Sequence, residues 1–295
     1  MELTVYDDWK MQINVFKIIV WQFLFLMLLQ PEPSSGETLD SGSHLPRGIS
    51  IFRSDLALCA DNASDFVSLI EKPDRYAFSL AGLLFGTAVI GHMSDNSIRT
   101  EALLNRNSRF DRFIEPWERY GNGVYPFTFA WSLYAGGAAI KNDWLRETGR
   151  ECLMSLALAT LFCTPVKIMT GRERPFANAG PYDFDPFAFD NVNRSFPSGH
   201  TTTAFALSSV LAGRIRNSVA SVLLYGMACM TASQRICSDN HWLSDVITGA
   251  VIGTTAGTFI VHSGNGFEQS EMESSFSVVP VTCGSANGIG VAFEW

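Results

Sequence analysis

The sequence predicts an all-α protein, a helical bundle of about six core helices followed by a short C-terminal β-hairpin. Long runs without Asp, Glu, Lys or Arg alternate with charged connections, and before residue 270 no stretch alternates apolar with polar residues as a half-buried strand does. The uncharged runs, of 15 to 22 residues, have the length of buried or membrane-spanning helices. They are residues 76–94, 120–140, 152–166, 195–213, 217–234 and 246–267.

The amino terminus has the pattern of an export sequence. Lys17 precedes a largely apolar run, residues 18–29, and residues 31–48 are rich in Pro, Gly and Ser, as linkers are. A secretory signal sequence and an uncleaved membrane anchor both fit, although a usual spanning helix needs ~20 residues. The predicted domains are a signal or anchor with linker (1–48), a helical domain (49–265) and a tail (266–295).

The tail differs from the rest of the chain. Two apolar segments, FSVVPVT at 276–282 and IGVAFEW at 289–295, flank the polar stretch CGSANG. Strand-forming residues around a polar loop with two glycines are typical of a β-hairpin. One hairpin cannot close a barrel, so we expect it to cover a face of the bundle.

Composition limits the classes of partner and cofactor. The formal net charge of −8 and the pI of about 5.1 argue against nucleic acid. Charged residues make up 17% of the chain, below the roughly 25% of soluble domains, while hydrophobic residues make up 47%. Membrane-embedded and soluble exported forms both stay open, and the balance favours membrane association. The six cysteines contain no CxxC pair, so no zinc site is predicted.

The first cluster of polar residues ends an uncharged run. In the segment KIMTGRERPF, Lys167 and Arg174 are seven residues apart, and Gly171 and Pro175 indicate that the helix ends between them. A basic C-terminal cap, favoured by the helix dipole, is one interpretation. The other is a cationic pocket for a doubly charged anion such as phosphate, because arginine offers fork-shaped donors.

The second cluster is the segment SFPSGHTTTAF, in which Pro197 and Gly199 predict a turn and a helix that begins near His200. The Ser198 hydroxyl, the accessible backbone at Gly199 and the free N–H groups of the helix start together suit an anion. His200 would then donate a proton to a leaving oxygen. An ordinary capping turn with a structural histidine is the alternative.

The third cluster is the segment QRICSDNHWLSDV. His241 and Asp245 are spaced i, i+4, so on a helix they lie on one face within hydrogen-bonding reach. A carboxylate that fixes one imidazole nitrogen leaves the other free as a base or nucleophile. Arg235 adds a further phosphate donor. A solvated helix start with Asp239 or Asn240 as cap is the alternative.

Together the clusters supply what displacement of a phosphate ester needs: cationic donors, an acid and an oriented nucleophile, with no metal or other cofactor. In order and spacing they resemble the three signature motifs of the type 2 phosphatidic acid phosphatase and vanadium haloperoxidase superfamily. One position departs, because Gln234 stands where the family commonly has serine. The matching positions are Lys167, Arg174, Pro175, Pro197, Ser198, Gly199, His200, Arg235, His241 and Asp245.

The resemblance implies a role for each matching side chain. His241 attacks phosphorus and forms a phosphohistidine, oriented by Asp245, while His200 protonates the leaving alcohol and afterwards helps activate water. Arg172 and Arg194 are nearby and we expect them to contact substrate, although they lie outside the family's core set. The implied phosphate-binding residues are Lys167, Arg174, Ser198, Gly199 and Arg235.

These implications predict a metal-independent phosphatase of the cell envelope. Its substrates would be phosphate monoesters or diphosphates on lipids, such as phosphatidate, a prenyl diphosphate or a lipid A phosphate, with the site on the non-cytoplasmic side. Residues 176–196, with five phenylalanines, form either an aromatic lid for such a chain or packing over the bundle end. A soluble exported acid phosphatase of broad specificity is the alternative, followed by a vanadate-dependent haloperoxidase.

Overall fold

Residues 47–71, 75–264, 276–283 and 286–293 are described by the structure, which is a computed structural model of the chain. The predicted signal or anchor and nearly all of the predicted linker lie outside these residues. The described residues between 47 and 264 are mainly helical, which confirms the all-α class. The α-helices are α1 Arg47–Glu71, α2 Arg75–Leu104, α3 Ser108–Ile114, α4 Glu118–Gly121, α5 Val124–Ile140, α6 Asp143–Thr170, α7 Gly199–Ile215, α8 Ser218–Cys237 and α9 Leu243–Gly264.

Short polar side chains begin several of these helices. The Asn107 side chain accepts hydrogen bonds from two backbone N–H groups in the first turn of α3. Asn142 caps α6 in the same way, and Asn217 caps α8. Because the first four N–H groups of a helix have no partner within it, such caps set where each helix starts.

Helices α7 and α9 pack so closely that only glycine fits along their contact. A Cβ added at Gly253 would lie 2.2 Å from Thr202 O, and one at Gly249 would lie 2.6 Å from Ser198 O. Gly257, one turn further along, is equally tight against Ser209. Small residues let helix backbones approach in this way. The close packing holds the start of α7, with its predicted histidine, against the start of α9.

The apolar core joins α6, α7, α8 and α9. A continuous cluster of buried side chains runs between them, and α5, which packs against α6, adds Ala130 to it. The core side chains are Ala130, Cys152, Leu156, Ala159, Ala206, Leu207, Val210, Leu211, Leu224, Ala256 and Val261.

The helices from α6 onward alternate in direction, so their ends collect at two opposite poles. Arg214, near the end of α7, donates to Glu147 and Glu151 in the first turns of α6 at one pole. At the other pole α6 and α8 end and α7 and α9 begin. All three predicted polar clusters lie at this second pole, which is therefore where a shared site can form.

Two predicted charged connections are largely helical. Helix α2 continues through Asp95 and Arg99 to Leu104, and α6 begins at Asp143. Asp95 pairs with Arg172, and Arg99 pairs with Asp239. Because both charges are neutralised in this way, the helix continues through them.

Two helices in the described part of the chain, Asp143–Thr170 and Leu243–Ser263, are long and apolar enough to cross a membrane. The bundle buries 28% and 44% of their most apolar segments, respectively. Core helices of soluble proteins pass the same test, so these helices alone are weak support for a membrane span.

Two strands, Phe276–Cys283 and Ala286–Phe293, follow after the helices. Only the backbone of these strands is described, so the expected packing of their side chains over a face of the bundle lies outside the described residues. The predicted C-terminal hairpin therefore stays a prediction.

Candidate active site

The second pole of the bundle brings the three predicted clusters together. Helix α6 ends at Thr170 and α7 begins at Gly199, as the proline and glycine positions predict. The intervening loop returns to the pole through an isolated bridge between Arg172 and Phe184. The turn between α8 and α9 supplies the third cluster. Each predicted residue thus lies at a helix end or beside one.

The start of α7 carries Ser198 and His200. The Ser198 side chain is fully buried and its hydroxyl oxygen accepts a 3.0 Å hydrogen bond from Thr201, so its own proton remains for another acceptor. The Ser198 backbone N–H donates to the Asp245 carbonyl at 2.9 Å. This bond ties the second cluster to the third.

His241 and Asp245 lie together, but they do not share one helix as the spacing predicts. Helix α9 begins at Leu243, so His241 lies in the turn before it. The reason is that the Asp245 carboxylate accepts from the Trp242 backbone N–H at 2.8 Å and thereby closes the helix start. His241 Nδ1 is 3.5 Å from Asp245 Oδ2, an ion-pair distance that is longer than a good hydrogen bond.

Arg172 holds Asp245 instead of facing a substrate, contrary to expectation. Its side chain is 1% exposed and donates to Asp245 Oδ1 and to Asp95 Oδ2, both at 2.6 Å. Asp95 in turn accepts from the Ser244 backbone N–H and hydroxyl at 2.8 Å. Asp95 on α2 is a residue that motif spacing does not indicate. It shares Arg172 with Asp245 and so anchors the start of α9.

Helix α2 also holds the turn that carries His241. Arg99 donates to both carboxylate oxygens of Asp239, at 2.7 and 2.8 Å, and its guanidinium lies over the Trp242 ring. Asp239 has a positive φ of 59°, a conformation that Asp adopts more readily than most residues. A bidentate pair of this kind fixes orientation as well as distance.

Lys167 is half-buried at the end of α6, and its ammonium donates to backbone carbonyl groups of the loop before α7. The acceptors are the carbonyl oxygens of Arg194 at 2.9 Å, of Ser195 at 3.5 Å and of Pro197. The lysine charge therefore lies beside the pole. The hydrogen bonds from its ammonium hold the loop that leads to Ser198 in position.

The half-buried Arg174 and the buried Arg235 supply the guanidinium groups of the cationic site. Arg174 makes only long hydrogen bonds, 3.2 Å to Asn240 Oδ1 and 3.3 Å to Asn191 Oδ1. Among the described residues, the buried Nε atoms of Arg174 and Arg235 have no hydrogen-bond partner. Burial and the neighbouring Arg235 cation lower the pKa of Arg174 to about 10. Donors without partners beside mutually repelling cations favour a bound anion.

The same cations lower the pKa values of the two predicted catalytic histidines. Burial, followed by the charges of Arg174, Lys167 and Arg235, lowers the pKa of His241 well below its usual value. Burial and then Arg235 lower the pKa of His200 similarly. Both rings are therefore neutral without an anion, and a dianion would reverse the shift. Within the described part of the chain no three His, Cys, Asp or Glu side chains converge as metal ligands would.

Glu118, at the start of α4, is a further residue of this pole that the motifs do not reveal. Its Oε1 accepts a 2.8 Å hydrogen bond from Arg235 Nη1 and lies 3.8 Å from His200 Nε2. The sequence offered only one signal for it, namely the charged stretch 95–119 between two uncharged runs.

The loop from α6 to α7 exposes aromatic side chains around the pole. Phe187 and Phe189 are 63% and 65% exposed, and Tyr182 is 68% exposed. Phe176 and Phe184 are exposed to a lesser degree. Tyr182 and Phe184 nevertheless pack against His92 of α2, with ring centroids 4.4 and 6.3 Å apart, whereas Phe187 and Phe189 project from the loop. Contiguous exposed apolar groups of this kind mark interaction surfaces.

The three clusters lie within a segment of the chain that matches a known family model. Residues 149–268 match the model of the PAP2 superfamily. A lipid A 1-phosphatase of Porphyromonas gingivalis is 41% identical over 83 residues, which are 27% of this chain and 19% of that protein. A lipid A 1-phosphatase of Rhizobium johnstonii is 32% identical over 120 residues, which are 39% of this chain and 46% of that protein. The matches span less than half the length of these curated relatives.

Among solved structures, a transmembrane PAP2 type phosphatidylglycerolphosphate phosphatase from Bacillus subtilis has 16% sequence identity and a TM-score of 0.49. The comparison covers 77% of this chain and 100% of that chain.

Proposed function

Because residues 149–268 match the PAP2 superfamily model, in agreement with the resemblance of the three motifs, we propose that the chain is a phosphatase that acts on lipid phosphates. The observation that carries this proposal is the convergence of two histidines with lowered pKa values, the buried His241 and the half-buried His200, and of unpaired arginine donors at one pole. An electropositive pocket with a nucleophile and an acid suits phosphoryl transfer better than any other reaction class.

In the first step His241 attacks phosphorus with the ring nitrogen that does not face Asp245, namely Nε2. A P–N bond forms and the P–O bond to the leaving group breaks. His200 gives its proton to the departing oxygen, so the alcohol leaves uncharged. The incoming phosphate dianion prepares this step, because its charge favours the protonated form of His200 that the neighbouring cations otherwise disfavour.

In the second step water attacks the phosphohistidine. His200, now neutral, takes a proton from the water, the P–N bond breaks, and inorganic phosphate leaves. Asp245 keeps the His241 ring in place through both steps, at 3.5 Å from Nδ1. The chemistry uses only protein side chains, so the proposed reaction needs no metal.

The phosphoryl oxygens are held by Arg174, Arg235, the Ser198 hydroxyl and the backbone N–H at Gly199. The arginines contribute Nε donors that have no other partner in the described residues. Helix α7 adds the favourable end of its dipole at Gly199. Lys167 adds charge and, through its carbonyl acceptors, keeps the loop 194–197 in position.

The proposed substrate is a phosphate on a lipid, such as phosphatidate, a prenyl diphosphate or a lipid A phosphate. The two curated relatives described above are named lipid A 1-phosphatases, which supports this class. The exposed rings of Tyr182, Phe187 and Phe189 offer an apolar surface beside the cationic pole. A phosphate group and an acyl chain on one molecule would satisfy both features.

We propose that the protein is an envelope protein associated with the membrane, with its site on the non-cytoplasmic side. The uncharged stretches of α6 and α8 expose large apolar side chains, including Leu161 at 65% and Val222 at 72%. Water disfavours such surfaces and lipid accepts them. Extraction of membranes tests this point: release by detergent but not by high salt is expected, and release by salt alone would favour a soluble exported phosphatase.

The function is tested by phosphate release from phosphatidate, a prenyl diphosphate, lipid A and a small aryl phosphate, each with and without EDTA. We expect a lipid phosphate to be the preferred substrate and EDTA to have no effect. His241→Ala should lower turnover by several powers of ten, because the attacking group is lost. Abolition of activity by EDTA, or full activity of His241→Ala, would contradict the proposal.

A further inference from the structure

His92, on α2, contacts both members of the buried ion pair between Arg172 and Asp95. Its Nδ1 lies 3.0 Å from Arg172 Nη2 and 3.2 Å from Asp95 Oδ2. An imidazole nitrogen accepts a hydrogen bond when it is unprotonated and donates one when it carries a proton. Nδ1 therefore bonds Arg172 in the first state and Asp95 in the second. In either state it holds the ion pair from one side.

The loop between α6 and α7 holds the same guanidinium from another side. The Pro181 carbonyl accepts from Arg172 Nε at 3.1 Å and from Nη2 at 2.8 Å, and the Phe184 ring centroid lies 5.6 Å from the guanidinium carbon. The Tyr182 ring meets the His92 ring nearly at a right angle, with centroids 4.4 Å apart. We call His92, Pro181, Tyr182 and Phe184 the Arg172 brace. It joins an exposed loop to a buried cation.

The backbone at His92 is fixed against the start of α9. A Cβ added at Gly91 would lie 2.8 Å from Ser244 Cα, so glycine lets the two backbones approach this closely. The Asp95 carboxylate, one turn further along α2, accepts from the Ser244 backbone N–H and hydroxyl at 2.8 Å. His92 is therefore tied to the helix that carries Asp245, while 25% of its side-chain surface stays exposed.

The position of Arg172 decides how Asp245 meets the proposed nucleophile. Arg172 Nη1 donates to Asp245 Oδ1 at 2.6 Å, and the other carboxylate oxygen, Oδ2, lies 3.5 Å from His241 Nδ1. A misplacement of about 1 Å at a reacting group lowers a rate by about a hundredfold. Contacts that hold Arg172 between its two carboxylates therefore bear on the attack by His241.

We infer that His92 is a positioning residue for the proposed phosphoryl transfer and that the Arg172 brace couples the exposed loop to the attack by His241. This inference rests on the proposed function. The same loop carries the exposed rings of Phe187 and Phe189, so one segment both offers apolar rings to a lipid and holds the buried guanidinium. Loss of the brace contacts should therefore slow the chemical step even for a substrate that has no acyl chain.

The test measures kcat and KM for a small aryl phosphate and for a lipid phosphate in mixed micelles. His92→Leu should lower kcat about tenfold for both substrates and leave KM unchanged, because the phosphate-binding groups stay in place. His92→Asn should recover most of kcat, since its amide offers an acceptor for Arg172 and a donor for Asp95. His262→Leu, the same substitution at an exposed position on α9, is the matched control and should change neither constant.

Tyr182 gives a second pair of variants, which carries the test if His92→Leu does not fold. Tyr182→Leu removes the aromatic ring that packs on His92 and should also lower kcat, whereas Tyr182→Phe keeps the ring and should match the wild type. Rapid-quench experiments with ³²P-labelled substrate follow the chemical step directly. The rate at which label appears on His241 should fall about tenfold in both leucine variants.

Three results would overturn the inference and leave the proposed function intact. The first is a wild-type kcat in folded His92→Leu or in Tyr182→Leu. The second is an equal loss in His92→Leu and His92→Asn, which would mean that the hydrogen-bonding group at Nδ1 has no role. The third is a higher KM with an unchanged kcat, which would mean that the brace acts on binding. A wild-type protein that releases phosphate from no substrate would overturn the proposed function as well.

Discussion

Arg172 Nη1 donates to Asp245 Oδ1 at 2.6 Å, and both side chains are almost fully buried. The same guanidinium reaches Asp95 on α2 at 2.6 Å. Two buried carboxylates thus share one cation, and one of them lies against the proposed nucleophile. Because burial of an ion is costly unless it is paired, this network depends on all of its members. Arg172 is a positioning residue, unlike Arg174 two positions later.

Arg172→Ala is expected to destabilise the protein by roughly 3–5 kcal/mol, because Asp95 and Asp245 are left as buried charges without their cation. The matched control is Arg106→Ala. The Arg106 side chain is 50% exposed, and that of its ion-pair partner Asp111 is 35% exposed. That change should cost at most about 1 kcal/mol. Chemical unfolding in detergent measures both, and equal costs for the two variants would contradict the network.

Orthovanadate, a mimic of the phosphoryl group, is expected to protect the protein against unfolding. At a concentration of about 100 times its Kd it should add about 2.7 kcal/mol. Arg174→Ala and Arg235→Ala should each lose most of this protection, because their Nε atoms are the unpaired donors. Arg112→Ala, an exposed arginine on α3, is the control and should retain it. Full protection of the Arg174→Ala variant by orthovanadate would show that the anion binds at another site.

Stability is expected to fall as the pH drops below about 6.5. His200 and His241 have folded-state pKa values well below 6.5, so in that range the unfolded chain binds protons that the folded chain does not. Protonation therefore favours unfolding, by up to about 1.4 kcal/mol per pH unit for each histidine. Above pH 6.5 this contribution to stability is fully present.

The pH effect is measured as the free energy of unfolding between pH 5 and pH 8. His241→Asn should have a shallower slope below pH 6.5 than the wild type. His262→Asn, an exposed histidine on α9, should keep the wild-type slope. The Arg174, Arg235, Lys167, Glu118 and Asp245 charges that face the site stay in place in this comparison. Identical slopes for wild type and His241→Asn would show that His241 is not held neutral.

The aromatic loop is expected to act on lipid substrates specifically. Phe187→Ser and Phe189→Ser should each lower kcat/KM for a lipid phosphate in vesicles relative to kcat/KM for a small aryl phosphate, by about tenfold. Burial of one phenylalanine in an apolar phase contributes about 1.5–3 kcal/mol, which sets this scale. Steady-state kinetics with the two substrates measures the ratio. A ratio equal to that of the wild type would show that these two side chains do not contact the lipid.

Local sequence predicted much of the fold and the positions of the motif residues. The end of α6 at Thr170 and the start of α7 at Gly199 follow from the nearby Gly and Pro residues, whose backbone preferences act within a few positions. The three motifs predicted which side chains share the pole, because helices of alternating direction bring successive ends together.

Contacts between segments that are distant in sequence could not be predicted from local patterns. Asp95, Arg99 and Glu118 come from a charged stretch far from the motifs in sequence, and their partners are fixed only by how α2 and α4 pack. The sequence predicts that Arg172 contacts substrate, because it lies near the motif residue Arg174. Its inward direction depends on Asp95, which no spacing rule connects to it.

The central claim, phosphoryl transfer through His241, is tested most directly by trapping the covalent intermediate. Protein mixed briefly with ³²P-labelled substrate is quenched in alkaline denaturant, in which phosphohistidine survives, and the labelled peptide is identified. We expect label on the peptide that contains His241, loss of that label in acid, and no label in His241→Asn. Continued turnover with no label on His241, or an active His241→Asn, would contradict the mechanism.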